Sequence, residues 1–395
     1  MNQNDVSASN MRRFQRVATI AGGAGLVLAV IGGFLDLAQF WQSYLLAYTF
    51  WLQLGLGCLG FLMLHHLVGG RWSGLIRHLL ESGAMTLPLM ALLFLPLILG
   101  MSTLYPWTNA EHVQQSALLQ AKSGWLNTPF FLGRAALYFA IWIGLAWQLN
   151  RWSVSEGESA DSSLAGKMKG LSAGGMLLFV LIGTFAAFDW LMSLEPEWFS
   201  SIYGLLFIAG GGLATLAVAI LGLAWQARQH EIGDGWIQPF NDLGNFLLGF
   251  VMIWAYFSFS QFLIIWSADI PEEAVWYVHR TQGGWQSVAL LLIALQFVLP
   301  FMLLLSRGIK RRTRWLSGLA ILVLIGRVVD LVFLIVPAFH PEAAHFHWLD
   351  LVLLIAMGGG WCAMFFWQWS RKSPVPKNDP RLGGKHERYE KFASV

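Results

Sequence analysis

Ten runs of mainly apolar residues divide the sequence, each long enough to cross a bilayer as a helix, which takes roughly 20 residues. They cover about 14–36, 43–68, 77–99, 129–149, 170–194, 200–226, 243–268, 284–306, 315–337 and 349–369. Hydrocarbon offers no water to backbone N–H and C=O groups, so each run must close its own hydrogen bonds as a helix. The expected class is all-α: a polytopic membrane protein of ten transmembrane helices. Hydrophobic residues make up 56% of the chain and charged residues 12%. That leaves too few polar side chains to coat a soluble globule and too many apolar ones for a disordered chain. Residues 1–13 and 370–395 are polar flanks of a membrane domain over 14–369. Arg12, Arg13 and Arg16 precede the first run as in a signal peptide. That run is longer than a signal h-region and ends in no clean cleavage site, so it reads as a retained helix.

The formal charge of +3 gives nucleic acid no electrostatic footing. Cys58 and Cys362 lie in separate runs, and the chain has no C-x-x-C-H and no cysteine cluster. Covalent haem, an iron–sulfur cluster and structural zinc are therefore not expected, and the thiols read as packing residues.

Charge placement sets the direction of the helices. Of 25 Lys and Arg, 21 fall in segments that share a side with the N-terminus. Lys122 and Arg280 fall on the other side, while Arg134 and Arg327 lie inside runs. By the positive-inside rule both termini are cytoplasmic, and flipping one helix would spoil the asymmetry. Tryptophans near run ends, such as Trp72, Trp198, Trp285 and Trp369, read as lipid anchors at the headgroup boundary. Gly210, Gly211 and Gly212 read as close-packing positions, and Pro88, Pro96 and Pro300 as kinks. Residues 102–128 form a long outer loop in which Thr108 and Glu111 suggest a capping box. Residues 153–166 read as a flexible linker, and 371–395 as a basic cytoplasmic tail.

Charges inside hydrocarbon cost about 2.5–3.5 kcal/mol each, so those present need a partner, water or a purpose. Arg134 and Asp189 lie at similar depth, roughly 7–8 Å below the outer surface by helix rise, and could pair. Arg327 and Asp330 are three residues apart and share a helix face. Gln261 adds a neutral polar group to this outer layer. On the inner side, Glu81 and His78 open one run and His65 and His66 close the one before. Histidine beside carboxylate suits proton relay. Interfacial histidines and structural ion pairs are the plainer account of both layers. A metal site is not expected, nor is a haem b, because His65 and His66 are adjacent. The outer segments are acidic and aromatic, with Glu195, Trp198, Glu272, Glu273 and Trp276 as candidates for docking a partner.

Three stretches carry a family resemblance. One runs Phe188-Asp189-Trp190-Leu191-Met192-Ser193-Leu194-Glu195-Pro196, then Trp198-Phe199-Ser200 and Ile202-Tyr203-Gly204. The next holds Trp254-Ala255-Tyr256, Phe259-Ser260-Gln261, Ile265-Trp266 and Ile270-Pro271-Glu272-Glu273. The third is Gly326-Arg327-Val328-Val329-Asp330-Leu331. In this order they resemble the second quinone-binding-type membrane subunit of alternative complex III, a bacterial quinol:cytochrome c oxidoreductase. Such subunits belong to the NrfD-like family, that of the polysulfide reductase membrane subunit.

The resemblance implies two four-helix bundles plus two peripheral helices in a bacterial inner membrane. It implies partners: a multihaem cytochrome c, an iron–sulfur subunit and an NrfD-like companion subunit. It implies that haem c and iron–sulfur clusters belong to those partners and that this chain binds no redox centre, with quinone or quinol left open. The expected role is to scaffold the redox subunits, with proton conduction through Asp189, Asp330, Glu81 and His78 as a second role and Arg134 and Arg327 as counter-ions. A secondary transporter, and the anchor of a polysulfide- or nitrite-reductase-type complex, are the competing readings.

Overall fold

The computed structural model describes residues 3–159, 162–229 and 237–372, and among them there is no β-strand. Among the described residues ten helices are long and apolar enough to span a membrane. They are α1 (Ser9–Leu35), α2 (Leu37–Val68), α3 (Trp72–Leu104), α4 (Thr128–Gly157) and α5 (Ser163–Leu194), then α6 (Tyr203–Arg228), α7 (Ile237–Ala268), α8 (Trp285–Leu305), α9 (Thr313–Ala338) and α10 (Trp348–Trp369). The chain is an integral, multi-pass membrane protein.

Packing divides the helices in chain order. Helices α2 to α5 close a ring in which each touches its two neighbours, and α6 to α9 close a second ring. The rings join chiefly through α2 against α6. Helices α2 and α6 are the most buried of the ten, while α7 and α8 are largely exposed. Helices α1 and α10 form a separate pair laid on α2. They approach backbone to backbone: a Cβ on Gly22 would stand 2.8 Å from Gly359 Cα. Small residues allow this contact where lipid gives little hydrophobic drive.

Proline acts as its chemistry requires. Helix α3 breaks after Ala84 and restarts at Leu87, with Pro88 in the first turn of the new segment, where its missing N–H leaves nothing unpaired. In α8 the turns from Ala294 to Val298 widen into a π-helix directly before Pro300. There α7 packs along the inner part of α8, residues 294–305, and parts from the outer part, Trp285–Ile293.

Several sequence expectations change. Residues 153–159 are not linker but the last turns of α4's helix, and the next helix starts at Ser162; the tail from 373 onward lies outside the described residues. Helix persists there because Ser153 and Glu156 find buried partners on α3. In the outer loop the cap is Asn109, which accepts from Glu111 N at 2.9 Å, so Thr108 and Glu111 form no capping box. Trp72, Trp198, Trp285 and Trp369 are buried, not lipid anchors, while Trp266 and Trp315 face outward.

Candidate functional site

The outer polar layer has one member in each bundle. In the first, Asp189 on α5 is fully buried and accepts four hydrogen bonds. Arg134 gives Nε to Oδ2 at 2.8 Å and Nη2 to Oδ1 at 2.7 Å. Tyr138 Oη reaches Oδ2 at 2.8 Å and Trp125 Nε1 reaches Oδ1 at 3.0 Å. The guanidinium is also stacked on Trp125, 4.1 Å from its ring centre. Phe94, Phe139, Trp142 and Trp190 pack on one another, and Trp142 and Trp190 meet the ring of Tyr138. Every oxygen lone pair of Asp189 has a partner, so this site is closed.

The second bundle arranges the same pair differently. Arg327 on α9 is fully buried and gives Nε and Nη2 to Gln53 Oε1 on α2, at 3.0 and 2.7 Å. Gln53 donates its own amide to Phe207 O at 3.0 Å, which fixes its oxygen toward the guanidinium. Gly210 leaves room on α6: a Cβ there would meet Arg327 Cζ at 2.3 Å. Arg327 Nη1 donates to Asp330 Oδ2, and Trp254 Nε1 on α7 donates to the same oxygen at 2.9 Å. Asp330 Oδ1 has no hydrogen-bond partner among the described residues.

Asp330 is one of the residues lining a cavity of about 670 Å³ between α6, α7, α8, α9 and the outer helix Pro271–His279. The walls are apolar and aromatic, including Leu206, Phe262, Phe297 and Phe333. Tyr256, Phe259 and Ile293 also line it and are exposed on the flank where α7 and α8 part, so the mouth faces the bilayer interior. Gln296, in the π-turn, is buried against Gly326 with neither amide atom hydrogen-bonded among the described residues.

The roof is built on Arg280. All five of its N–H donors are used. They go to Phe333 O, Leu334 O and Trp276 O at 3.0 Å each, and to Glu195 at 2.7 and 3.3 Å. Pro337 has no N–H, so the carbonyl four residues earlier, Phe333, is free to accept. The guanidinium lies 3.7 Å from the Trp276 ring, and Trp276 stacks on Trp198 at 4.7 Å. Trp198 and Trp276 are therefore internal, and Glu195 is committed to Arg280 and His279, so these three do not form a docking face. Glu272 is exposed and Glu273 half-buried on the outer helix.

Below the roof, Gln261 accepts from Ser200 Oγ at 2.9 Å and turns its amide toward Tyr277 Oη at 3.4 Å. Burial pushes the Tyr277 phenol up to about 12, so it keeps its proton at neutral pH. The polar residues lining the cavity thus include two hydrogen-bonded sets, Asp330 with Trp254 and Gln261 with Tyr277.

The opposite end of the molecule holds a separate cluster. Glu81 accepts from Arg77 at 3.1 Å, Ser153 at 2.5 Å and Lys372 at 2.5 Å. Glu156 pairs with Arg77 at 2.7 Å, and Lys372 also reaches Asn150 Oδ1 at 2.6 Å. His78, expected with Glu81 at the inner mouth, is half-buried one turn away and its charge acts on Glu81, beside the hydrogen bonds from Arg77, Ser153 and Lys372. His65 faces Ser73 Oγ at 2.6 Å. Between the two ends lie Ser172 and Thr215, buried hydroxyls with no hydrogen bond among the described residues. Among the described residues no group of His, Cys, Asp and Glu could hold a metal ion.

Sequence reading singled out Arg134, Asp189, Arg327, Asp330, Gln261, Glu81 and His78. It missed Gln53, Trp254, Tyr277 and Arg280 as site residues. A lone glutamine amid the second apolar run was a usable signal, as was an arginine four residues after Trp276. No protein-family model and no curated protein matches the chain.

Proposed function

We propose that this chain is the redox-silent membrane subunit of a quinol:cytochrome c oxidoreductase of the alternative complex III type. It lies in a bacterial inner membrane with both termini cytoplasmic, beside partners that carry haem c and iron–sulfur clusters. Its second bundle receives the ring of a quinone-class lipid from the bilayer. One observation carries this reading: a lateral apolar cavity, large enough for such a ring, lined by Asp330, whose hydrogen bonds among the described residues all fall on one carboxylate oxygen. The two-ring architecture with a peripheral helix pair agrees with what the resemblance implies.

A quinol supplies two hydroxyl protons and two electrons on oxidation. In this reading Asp330 Oδ1 accepts one hydroxyl hydrogen, while Arg327 and Trp254 hold the carboxylate through its other oxygen. Tyr277, whose oxygen takes the Gln261 amide hydrogen, has its own hydrogen free for the oxygen at the far side of a ring. Phe262, Phe297 and Phe333 offer apolar surface to the ring and exclude water.

The test is gentle purification of the tagged chain from its native membrane, followed by a visible spectrum, partner masses and solvent extraction of quinone. Haem absorbance with co-purifying redox subunits, and quinone lost in Asp330→Asn, is the expected result. A chain that comes out alone and moves a solute in vesicles sinks the proposal and favours a transporter. A complex that keeps full quinone content in Asp330→Asn and in Ala289→Phe removes the cavity from it.

A further inference from the structure

The end of the molecule opposite the cavity holds a dense group of cations. Between α8 and α9 the chain forms a five-residue helix, Arg307–Arg311, and Arg312 and Arg314 follow at once. Five cations thus stand within eight residues. Lys310 is turned inward. Its stem crosses Gly244, where a Cβ would meet Lys310 Cγ at 2.8 Å, and Nζ donates to Asn245 Oδ1 at 2.7 Å. Burial, with Arg307 close by, pushes Lys310 below the usual lysine range. This anchor pins the short helix to the end of α7.

The other four cations, Arg307, Arg311, Arg312 and Arg314, are exposed or half-exposed. Among the described residues none of their guanidiniums has an ion pair, a hydrogen bond or an aromatic contact. Arg77 and Lys372, at the same end of the molecule, are by contrast committed to Glu81 and Glu156. Asp242, one turn from Asn245 on α7, is occupied by Gln238 at 2.8 Å. Arg307 and Arg311 are four residues apart and share a helix face. Directly beside them Leu305 and Trp315 are 55% and 62% exposed, and the apolar faces of α8 and α9 run inward from there. Guanidinium forks match phosphate oxygens in pairs, and an anion between like charges relieves their repulsion. Unpaired arginines at one level with apolar surface below match a phosphodiester with acyl chains.

We propose that this arginine face binds the headgroup of an anionic membrane phospholipid, with the acyl chains lying on the exposed flank of α8 and α9. The test uses the full chain in detergent, titrated with phosphatidylglycerol or phosphatidylcholine. Native mass spectrometry counts retained lipid and thermal unfolding reads stabilisation. Phosphatidylglycerol is expected to stay bound and raise the melting temperature, and phosphatidylcholine to do neither. Arg311→Gln with Arg312→Gln should weaken phosphatidylglycerol retention about thirtyfold. Lys167→Gln with Lys169→Gln, at the cytoplasmic end of α5, should leave it unchanged. Equal retention of the two lipids overturns the proposal, as does an equal loss in the lysine variant. Displacement of the lipid by millimolar inorganic phosphate also overturns it, because it marks a site for any small anion. If the arginine variant is not produced, the two-lipid comparison on the unaltered chain still decides.

Discussion

The two bundles each bury an arginine–aspartate pair near the same end, one joining two helices through both carboxylate oxygens and the other lying within one helix and using a single oxygen. Around Asp189 four donors from Trp125, Arg134 and Tyr138 use both carboxylate oxygens, and Trp142 and Trp190 meet the ring of Tyr138. Around Asp330 the donors from Arg327 and Trp254 converge on one oxygen, and the residue lines a cavity. A buried ion pair is weak testimony to stability, since desolvation offsets most of its attraction. What distinguishes an anchoring pair from a working one is whether any lone pair remains and whether a molecule can reach it. By that criterion the first pair is the anchor, and the second is the one with an oxygen left to bind a ligand in the proposed reading.

Asp189→Ala tests the anchoring side most severely. It leaves Arg134 buried without its counter-charge, so a loss of about 3–5 kcal/mol is expected in detergent unfolding, with no direct effect on quinone content. Asp330→Asn keeps an acceptor for Arg327, which also retains Gln53, so its cost should be nearer 1–3 kcal/mol. It should nonetheless abolish retained quinone. If the two variants lose stability and ligand in the same proportion, the contrast between the pairs is wrong. Gly210→Ala puts a methyl against the Arg327 guanidinium and should cost about 1–3 kcal/mol by overpacking, with weaker ligand retention because Asp330 moves with its partner. Ala289→Phe fills the cavity from α8. It should shift stability by less than about 0.5 kcal/mol while extracted quinone falls.

The smallest effect lies in the connection between α9 and α10. There burial and the adjacent His345 push His340 below the ordinary histidine range, against the opposing pull of Asp350 and Asp36. Its neutral form is favoured on folding, so this contribution is present above the unfolded histidine value near ~6.5. It is lost as pH falls through that value toward the folded one. His340→Gln should flatten that part of the pH–stability curve, and an unchanged curve would remove His340 as the cause.

Much of this was legible in the residues. Run length gave the ten helices, because hydrocarbon permits little else. Depth counting from the run ends put Arg134 level with Asp189, and the i, i+3 spacing put Arg327 beside Asp330. What hydropathy could not show was the difference between the two sites. The closure of Asp189 depends on Trp125 from the outer loop and Tyr138 one turn beyond Arg134, a tertiary fact. The cavity depends on α7 and α8 parting, and a π-turn at Ala294–Val298 leaves no mark on apolar periodicity. Arg280 looked like a stray outer cation because its five acceptors come from three separate segments. Buried tryptophans and lipid-anchoring ones share one composition, so position near a run end could not tell Trp285 from Trp315.

The parting of α7 and α8 has a further consequence. A doorway that faces acyl chains samples molecules by their mole fraction in the leaflet, not by their molarity in the aqueous phase. Occupancy of such a site follows the composition of the surrounding lipid, and a water-soluble analogue reaches it only after dissolving in the bilayer. Affinities measured in detergent therefore depend on micelle volume, and those measured at differing lipid-to-protein ratios diverge unless expressed per unit of membrane.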